Sequence, residues 1–409
     1  MTLFIDTIVI GGGQAGLSIS WHLKQAGREH LVLDRGKVGD TWRNRWDSFC
    51  LVTPNRFCQL PGFPYNGDAP NGFMLRDEIV DYVERYAESF TPPIQGNVEV
   101  SRIGATNGGV GFTIETSEGV YTTNNLFIAV GTHQHPNIPV WAAKLPPHVM
   151  QLHTCDYKNP AQLPQGATLV VGSGQSGCQV VDDLIAAGRD VHLCVGNAGR
   201  IPRRYRGKDF LEWEDLSGSY DLPVDELPIG RDIRFKPHPH LSGRDGGRTI
   251  DLRNLGQQGV KLHGRLLDVD GKLIHFSDDL YDKLNAADKF CADNLADVDE
   301  YITKNNIDAP DNDIAPIKWE PFATAPILDI EKDGITSVIF GTGFHFDFSW
   351  IDLPVFDNRG YPKYDRGVTN ISGLYFVGLH WLHTQGSGLF YKVGRDAEFA
   401  VNHLCNRSA

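Results

Sequence analysis

Leu169 to Gly177 read L-V-V-G-S-G-Q-S-G, and nearly the same pattern, I-V-I-G-G-G-Q-A-G, has already occurred at Ile8 to Gly16. The two regions align without a gap, from the apolar run before each glycine turn to the apolar run after the following helical pattern. Identical residues stand at equivalent positions: Thr7 and Thr168, Gly11 and Gly172, Gly13 and Gly174, Gln14 and Gln175, Gly16 and Gly177, Leu23 and Leu184, Ala26 and Ala187, Gly27 and Gly188, Arg28 and Arg189. Such a repeat indicates a fold that uses one structural unit twice.

Each copy has the sequence pattern of a βαβ unit. A β-branched apolar run leads into G-x-G-x-x-G, then a helical pattern stops at Gly27 or Gly188, and a second apolar run follows at 30–33 or 190–195. The first glycine makes the turn, the second lets a pyrophosphate approach the helix N-terminus, and the third packs the helix on the strand. Glycine turns also serve packing alone, but two copies in the same context favour dinucleotide binding. The predicted contacts are Gly11, Gly13, Gln14, Ala15 and Gly16 in the first copy, and Gly172, Gly174, Gln175, Ser176 and Gly177 in the second.

The two copies differ at the end of the second apolar run. Asp34, followed by Arg35, stands where a carboxylate accepts hydrogen bonds from a ribose, whereas the aligned residue in the second copy is Val195. A basic stretch then includes Arg200, Arg203 and Arg204. Loss of the acid together with nearby arginines favours a 2′-phosphate, and the alternative is a solvated basic loop. Because Gly196 and Asn197 follow the strand directly, the pattern predicts NADPH, with NADH also accepted.

Composition excludes several function classes. Lys and Arg total 38 against 51 Asp and Glu, and the net charge of −13 disfavours nucleic acid and anionic membrane as partners. No apolar run is long enough to span a bilayer. Asp6 interrupts the N-terminal apolar run, so Thr7 to Ile10 predicts a first strand rather than a signal peptide.

Cysteine and histidine spacing narrows the chemistry further. The chain has seven cysteines, an odd number, and no two of them form a C-x-x-C motif. This pattern favours free thiols in a reducing cytoplasm. It also disfavours an enzyme that passes electrons from a flavin to a disulfide of two nearby cysteines. Three histidine pairs lack a completing carboxylate or cysteine cluster, so no metal site is predicted. These pairs are His133 with His135, His238 with His240, and His380 with His383.

Five further segments carry a family resemblance. Val38 to Arg43 resembles a G-G-T-W segment, and Leu51 to Tyr65 resembles a stretch in which an asparagine precedes an F-P-F/Y segment. The strand ends at 127–139 and 339–344 are similar to two A-T-G segments, and 373–397 is similar to a closing flavin segment. In combination they resemble class B flavin-dependent monooxygenases of the bacterial flavin-containing monooxygenase type.

The resemblance implies an α/β fold with two Rossmann-like domains, as in glutathione reductase. A discontinuous FAD domain would comprise residues 1–165 and 324–409, and an NAD(P)H domain 166–323 would carry an acidic helical insertion around 278–313. That insertion has eleven acids against three lysines and is expected to form a solvated helical pair. Further flavin contacts implied by the resemblance are Thr41, Trp42, Val100, Ala129, Gly131, Gly378 and Gln385.

The implied reaction uses FAD, NADPH, dioxygen and a small organic substrate. Hydride would pass from the nicotinamide to the flavin, and a C4a-(hydro)peroxyflavin would then oxygenate the substrate. Asn55 matches the family's asparagine beside the flavin and could donate a hydrogen bond to that adduct. The alternative for Asn55 is a turn residue after Pro54. The sequence leaves the oligomeric state open, with a homodimer among the options.

Two of the four defining residues of the family fingerprint before the second glycine turn are present in this sequence. His153 and Tyr157 match it, whereas Pro147 and Val149 replace its phenylalanine and glycine. Tyrosine at the last position favours oxygenation at nitrogen or sulfur over Baeyer–Villiger insertion. The same residues are also compatible with a flavin oxidase or dehydrogenase on this fold, and with a redox-sensing protein that has no turnover.

Overall fold

A computed structural model describes residues 2–106, 108–312, 314, 317, 319–320 and 326–407. In this part of the chain the longer α-helices pack against two parallel β-sheets. The α-helices span Gln14–Gln25, Asp40–Arg43, Arg76–Phe90, Gln175–Ala186, Phe210–Leu216, Leu252–Gln257, Leu280–Lys304 and Val393–Arg407. No helix among these described residues is long and apolar enough to cross a membrane.

The first sheet has five parallel strands and contains the first glycine turn. Its strands, in spatial order, are Leu374–Phe376, Asn125–Ile128, Thr7–Ile10, Leu31–Leu33 and Ile94–Gln95. One face packs on helices through Val9, Leu17 and Val393. The other face packs, through Ile8 and Leu126, on a flanking sheet. The strands of that flanking sheet are Thr2–Phe4, Gly119–Thr123, Phe112–Thr116, Val100–Ala105 and Ile351–Asp352.

The second sheet repeats this arrangement around the second glycine turn. Its parallel strands, in spatial order, are Met150–His153, Ile335–Phe340, Ala167–Val171, Val191–Cys194 and Lys261–His263. Helix Gln175–Ala186 covers one face, and an antiparallel sheet of Leu266–Asp270, Leu273–Phe276 and Ile327–Asp329 covers the other. In each sheet the strand before the glycine turn is central. The predicted fold class, with two Rossmann-like units and a discontinuous first unit, is confirmed.

The outer strands of the second sheet correct the predicted domain boundaries. Met150–His153 pairs with Ile335–Phe340, which in turn pairs with the strand of the glycine turn. The second unit therefore begins before residue 150 rather than at 166, and it extends to about residue 340. The other predicted boundary, between 323 and 324, lies outside the described residues. The glycine motif marks only the central strand, whereas the outer strands come from the connecting segments.

The acidic segment forms one helix instead of the expected solvated pair. Leu280–Lys304 spans 25 residues, and one side of it is buried through Leu284, Cys291 and Ile302. Residues 305–312 follow without regular structure, and residue 313 lies outside the described residues. The apolar residues at helical spacing explain why this segment packs on the protein despite its charge.

Three two-stranded ribbons complete the strands. They are Gln59–Leu60 with Phe63–Pro64, Arg204–Tyr205 with Lys208–Asp209, and His135–Pro136 with Phe344–His345. The last ribbon pairs the two segments in which the chain passes between the two parallel sheets. Residues 199–250, here named the cap, consist mainly of short helices and turns. The cap packs on Phe57, Leu389 and Tyr391 of the first unit.

Candidate functional site

The first glycine of each turn adopts a backbone conformation that favours glycine. Gly11 and Gly172 both have φ of +103°. A Cβ atom on Gly11 would lie 2.5 Å from the carbonyl oxygen of Ala129, and one on Gly172 would lie 2.5 Å from that of Gly341. Each turn is therefore packed tightly against the end of the neighbouring strand, so a side chain is excluded at either position.

The other two glycines of each turn have opposite surroundings. A Cβ atom on Gly16 would lie 1.8 Å from the Gly11 carbonyl oxygen, and one on Gly177 would lie 2.0 Å from that of Gly172. A Cβ atom on Gly13 or Gly174 would meet nothing within 4 Å. The third glycine thus permits helix packing, and the second leaves open space at the helix N-terminus.

These helix N-termini fit a pyrophosphate. Neither Gln14–Gln25 nor Gln175–Ala186 has a side-chain hydrogen bond at its N-cap or an acidic residue in its first turn. Their first N–H groups and the positive end of each helix dipole are therefore left for an anion. Both turns have the geometry that dinucleotide binding requires.

Asp34 lies at the turn that the sequence assigns to it. Its carboxylate accepts hydrogen bonds from the N–H groups of Gly12 at 2.5 Å and Gly36 at 2.7 Å. It therefore stabilises the first turn from the end of the second strand. The adjacent Arg35 is exposed. The Val98 N–H donates to the Asp34 carbonyl at 2.9 Å, and Val100, a predicted flavin contact, begins the nearby strand Val100–Ala105 of the flanking sheet.

The closing flavin segment packs against the first helix. A Cβ atom on Gly378 would lie 2.5 Å from Cβ of Ala15, and the Gln14 side chain donates to the Gly388 carbonyl at 3.1 Å. Ala129 is buried at the end of the adjacent strand, and Gly131 follows it with φ of +68°. The structure therefore brings most of the predicted flavin contacts to one edge of the first sheet.

Two predicted contacts lie on the short helix Asp40–Arg43. The Trp42 ring stacks on Phe390 at 5.4 Å between centroids, whereas Thr41 is exposed. Arg45 follows this helix, and its guanidinium lies 5.9 Å from the Trp42 ring centroid. Burial lowers the pKa of Arg45, and its Nε has no hydrogen-bond partner. Arg45 is a partly buried cation that the sequence did not single out.

The second turn replaces the carboxylate with a hydroxyl. Ser173 aligns with Gly12, and its Oγ accepts a hydrogen bond from the Gly196 N–H at 2.8 Å. In this second copy the side chain of the turn accepts the hydrogen bond, whereas in the first copy the turn donates, from the Gly12 N–H to the Asp34 carboxylate. Ser173 was missed from sequence because it lies inside the motif at a position that tolerates several residues.

The basic stretch is engaged within the protein, which contradicts the role predicted for Arg203. Arg203 is 1% exposed, and its side chain pairs with Asp209 and donates to the Val52 carbonyl at 2.8 Å. Arg200 lies 2.7 Å from Asp288. Arg204 donates to the carbonyls of Gly246 at 2.6 Å and Gly247 at 3.1 Å. Arg203 was misassigned because its carboxylate partner is not apparent from the local pattern.

Asn55 lies between the first unit and the cap. It is 4% exposed, and its Nδ2 donates to the Ala69 carbonyl at 2.9 Å. Its Oδ1 is buried and has no hydrogen-bond partner among the residues that the structure describes. The neighbouring Phe57 ring contacts Tyr391 of the closing flavin segment at 4.9 Å between centroids. Asn55 therefore has both a structural bond and an unsatisfied acceptor.

Gln385 contacts a cap residue that the sequence did not indicate. Its Nε2 donates to Oε1 of Glu214 at 3.0 Å, and Oε2 of Glu214 is buried with no hydrogen-bond partner in the described part of the chain. Burial raises the pKa of Glu214 to about 7, against the hydrogen bond from Gln385 and the nearby charge of Arg203. Glu214 was missed because nothing in its sequence neighbours distinguishes it from an exposed helical acid.

The two matching fingerprint residues make structural contacts. Nε2 of His153 donates to the Gly343 carbonyl at 3.0 Å, and its Nδ1 lies 3.2 Å from the Cys155 sulfur. The Tyr157 hydroxyl donates to Asp183 at 2.7 Å and is buried. These bonds attach the connecting segment to the helix of the second turn and to the second crossing.

Three histidines converge from separate segments. The His380 ring lies 5.3 Å from both His133 and His238, measured between centroids. The protein around these rings lowers the pKa of all three imidazoles by desolvation, with His133 and His238 exposed at the surface and His380 partly buried. All three are therefore neutral near pH 7. Among the described residues no group of three His, Cys, Asp or Glu side chains is arranged to hold a metal ion.

Glu214 predicts a pH dependence of stability. Because its pKa is raised to about 7 in the folded protein, folding retains a proton that the unfolded chain releases above its ordinary value of 4.5. Its contribution to stability is therefore lost as pH rises from about 4.5 through 7. Glu214→Gln keeps the acceptor for Gln385 without the charge, so its unfolding midpoint at pH 8 should exceed that of the parent by a few degrees.

Thermal unfolding at pH 5 and pH 8 tests this prediction, with the exposed Glu118→Gln as the matched control. The difference between Glu214→Gln and the parent should shrink at pH 5, and the control should follow the parent at both pH values. An equal shift at both pH values would contradict the assignment of the buried proton to Glu214.

Comparisons with known proteins agree with this geometry. A family model described as pyridine nucleotide-disulphide oxidoreductase matches residues 8–208. An uncharacterized CzcO-like oxidoreductase of Geobacillus kaustophilus is 34% identical over 410 residues, covering 99% of this chain and 100% of that protein. Indole-3-pyruvate monooxygenase YUCCA1 of Oryza sativa is 30% identical over 262 residues, covering 61% of this chain and 63% of that protein. A flavin-containing monooxygenase from Stenotrophomonas maltophilia superposes over both whole chains with a TM-score of 0.65 at 17% identity.

The paired turns and sheets define a flavoprotein oxidoreductase with two dinucleotide sites, and its cofactors are FAD and NADPH. The chain belongs to the CzcO-like oxidoreductases, and its similarity to YUCCA1 and to a bacterial flavin-containing monooxygenase is consistent with the class B flavoprotein monooxygenases.

Proposed function

We propose that this protein is an NADPH-dependent monooxygenase that uses FAD and dioxygen to oxygenate a small organic molecule at nitrogen or sulfur. The first turn holds FAD, and the second holds NADPH. The observation that carries this proposal is the link between the two turns. Gly11 packs against Ala129 and Gly172 against Gly341, and within a few residues both strand ends enter the ribbon of His135–Pro136 with Phe344–His345. Two dinucleotides bound at these turns therefore approach each other at one seam.

Residues of the chain would perform the positioning in this reaction. FAD, when bound, accepts hydride from the nicotinamide and activates dioxygen. The helix N-termini beyond Gly13 and Gly174 hold the two pyrophosphates, and Asp34 holds the ribose of FAD. Buried aromatic residues of the cap exclude water from the seam, since the cap has its own apolar core against Phe57 and Tyr391.

Asn55 is the proposed polar group beside the reacting oxygen. The Ala69 carbonyl accepts a hydrogen bond from one of the two N–H groups of the Asn55 amide. The other N–H and the unpartnered Oδ1 are left to contact a ligand. The preference for nitrogen or sulfur rests on Tyr157 in the family fingerprint and not on pocket geometry.

Oxygen-isotope labelling tests the proposed function. The purified holoenzyme is supplied with NADPH and ¹⁸O₂ and screened against amines, sulfides and ketones, with hydrogen peroxide measured in the same samples. The expected result is one ¹⁸O atom in an N-oxide, hydroxylamine or sulfoxide. Ester formation from ketones would instead identify a Baeyer–Villiger enzyme. Peroxide equal to the NADPH consumed, without product across the panel, would identify an oxidase.

A further inference from the structure

Arg45 lies near the place where the chain passes from the first parallel sheet to the second. Its guanidinium carbon lies 5.9 Å from the ring centroid of Trp42 and 5.8 Å from that of Phe49. Desolvation lowers the pKa of His133 and His153, and the positive charge of Arg45 adds to this effect on both imidazoles. Arg45 is therefore held beside the seam at which the two bound dinucleotides are proposed to meet.

The charge of Arg45 is not compensated by the described part of the protein. Among the residues that the structure describes, its guanidinium pairs with no carboxylate, and its buried Nε has no hydrogen-bond partner. The thiol of Cys155 acts on Arg45, but burial raises the pKa of Cys155 to about 11, so this thiol is uncharged near pH 7. Contact with the rings of Trp42 and Phe49 uses none of the five N–H donors of a guanidinium.

Other arginines of this protein show what the fold supplies when a buried guanidinium is structural. Arg203 pairs with Asp209, and Arg253 pairs with Asp288 at 2.8 Å. Such pairing offsets the cost of taking a guanidinium out of water. Arg45 lacks this compensation, and burial lowers its pKa. Its N–H donors are therefore left for an anion that is not part of the described chain.

The anion that fits Arg45 carries one negative charge. Paired N–H donors of a guanidinium match the two oxygens of a carboxylate. A phosphate monoester has a charge of about −1.5 to −2 near pH 7 and calls for a second cation. The neighbouring imidazoles of His133 and His153 do not supply one, because their pKa values are lowered. The pyrophosphates of the two cofactors have their own sites, at the helix N-termini beyond Gly13 and Gly174.

We propose that Arg45 binds the carboxylate of the substrate, so that the small molecule oxygenated at the seam is an organic acid. The proposal rests on the proposed function, because it names a substrate class for the same site. Arg45 holds the acid at one end and leaves its nitrogen or sulfur free to face the flavin. No bond forms or breaks at Arg45, which makes it a binding residue.

A matched acid and amide test the proposal without turnover. Binding of phenylacetate and of phenylacetamide is measured by calorimetry on the protein loaded with oxidised FAD, in the absence of NADPH. The parent should bind the acid more tightly than the amide. Arg45→Met should weaken phenylacetate binding by about tenfold or more, because it removes a charge-assisted pair, and change phenylacetamide binding less than about twofold.

Arg85→Met is the matched control for this substitution. The guanidinium of Arg85 also lies 5.8 Å from an aromatic ring, that of Phe63, but it pairs with Asp81 at 3.5 Å. This variant should leave both affinities unchanged. Equal weakening of acid and amide by Arg45→Met, or no change in either, would overturn the proposal.

Thermal unfolding separates ligand binding by Arg45 from a structural role. Since Arg45→Met removes an uncompensated charge, its unfolding midpoint should equal or exceed that of the parent. A lower midpoint with unchanged phenylacetate affinity would identify a structural arginine. If Arg45→Met does not fold, Arg45→Lys decides, because it keeps the charge and loses the paired donors. Arg45→Lys should weaken phenylacetate binding several-fold and spare phenylacetamide, and an equal effect on both would contradict the proposal.

Further ligands distinguish the substrate carboxylate from other anions. Tighter binding of phenyl phosphate than of phenylacetate by the parent would indicate a phosphate site and overturn the proposal. A loss of NADP⁺ affinity in Arg45→Met as large as the loss of phenylacetate affinity would assign Arg45 to the cofactor. Equal or undetectable binding of phenylacetate and phenylacetamide by the parent would also overturn it. Failure to incorporate ¹⁸O into any product would leave these affinities unaffected, so the two proposals fail separately.

Discussion

Gly174→Ala is expected to yield a folded, yellow protein that has lost nearly all affinity for NADPH. Gly174 has φ of −73°, which alanine adopts freely, and an added Cβ meets nothing within 4 Å. The fold should therefore tolerate the methyl group. The same methyl group would occupy the space through which the pyrophosphate approaches the helix N-terminus. Loss of the hydrogen bonds from the helix N-terminus to the pyrophosphate should weaken NADPH binding by roughly a hundredfold.

Matched substitutions make this result specific. Gly104→Ala also adds a methyl group in open space, but in the flanking sheet, and it should change neither cofactor. Gly13→Ala should lower FAD occupancy instead, because Gly13 is the equivalent residue of the first turn. Gly177→Ala should destabilise the second unit, since its Cβ would lie 2.0 Å from the Gly172 carbonyl oxygen. FAD absorbance, circular dichroism and NADPH titration distinguish these cases. Normal NADPH binding by Gly174→Ala would show that the dinucleotide lies elsewhere.

The contrast between Gly13 and Gly16 also shows what could be predicted from the sequence. Both glycines are fixed by local geometry within one short motif, and the repeat made the pattern recognisable twice. Asp34 was predictable for the same reason, because it ends a strand at a fixed distance from the turn. Strand–turn–helix units are specified by nearby residues, so the central strands of both sheets followed from the sequence.

Features that depend on distant residues were not predictable in this way. Arg203 looks like a free cation in sequence, yet the fold buries it against Val52, 151 residues earlier. The outer strands Met150–His153 and Ile335–Phe340 lack a motif of their own and take their place from pairing. Glu214 acquires its raised pKa only when the cap encloses it beside Gln385. The cap therefore supplies the part of the seam that sequence reasoning missed.

The surroundings of the closing flavin segment combine a carboxyl group of raised pKa with histidines of lowered pKa. Glu214 of the cap contacts Gln385 of the closing flavin segment, and His380 of the same segment contacts His133 and His238. The lowered pKa of each histidine and the raised pKa of Glu214 both reduce the charge that these groups carry near pH 7. A site of low polarity strengthens each remaining hydrogen bond to a reacting group.

Asn55→Ala should separate NADPH consumption from oxygenation, because Asn55 is proposed to act only on the oxygen. Loss of one hydrogen bond aimed at developing charge costs roughly 3 kcal/mol, or about a hundredfold in oxygen transfer. FAD content and the rate of flavin reduction should be nearly unchanged, while hydrogen peroxide replaces product. Asn55→Asp, which keeps the size of the side chain and loses its donors, should show the same shift.

The structural bond of Asn55 to Ala69 requires a control for loop disturbance. Asn71→Ala alters an exposed amide in the same loop and should keep the product-to-peroxide ratio of the parent. Unfolding midpoints of all three variants show whether the loop is still held. If Asn55→Ala lowers the midpoint but leaves the product-to-peroxide ratio unchanged, then Asn55 acts only through its bond to Ala69. A ratio that collapses in both Asn55 variants at an unchanged midpoint places the side chain beside the reacting oxygen, where its second N–H and its unpartnered Oδ1 are the groups left to act.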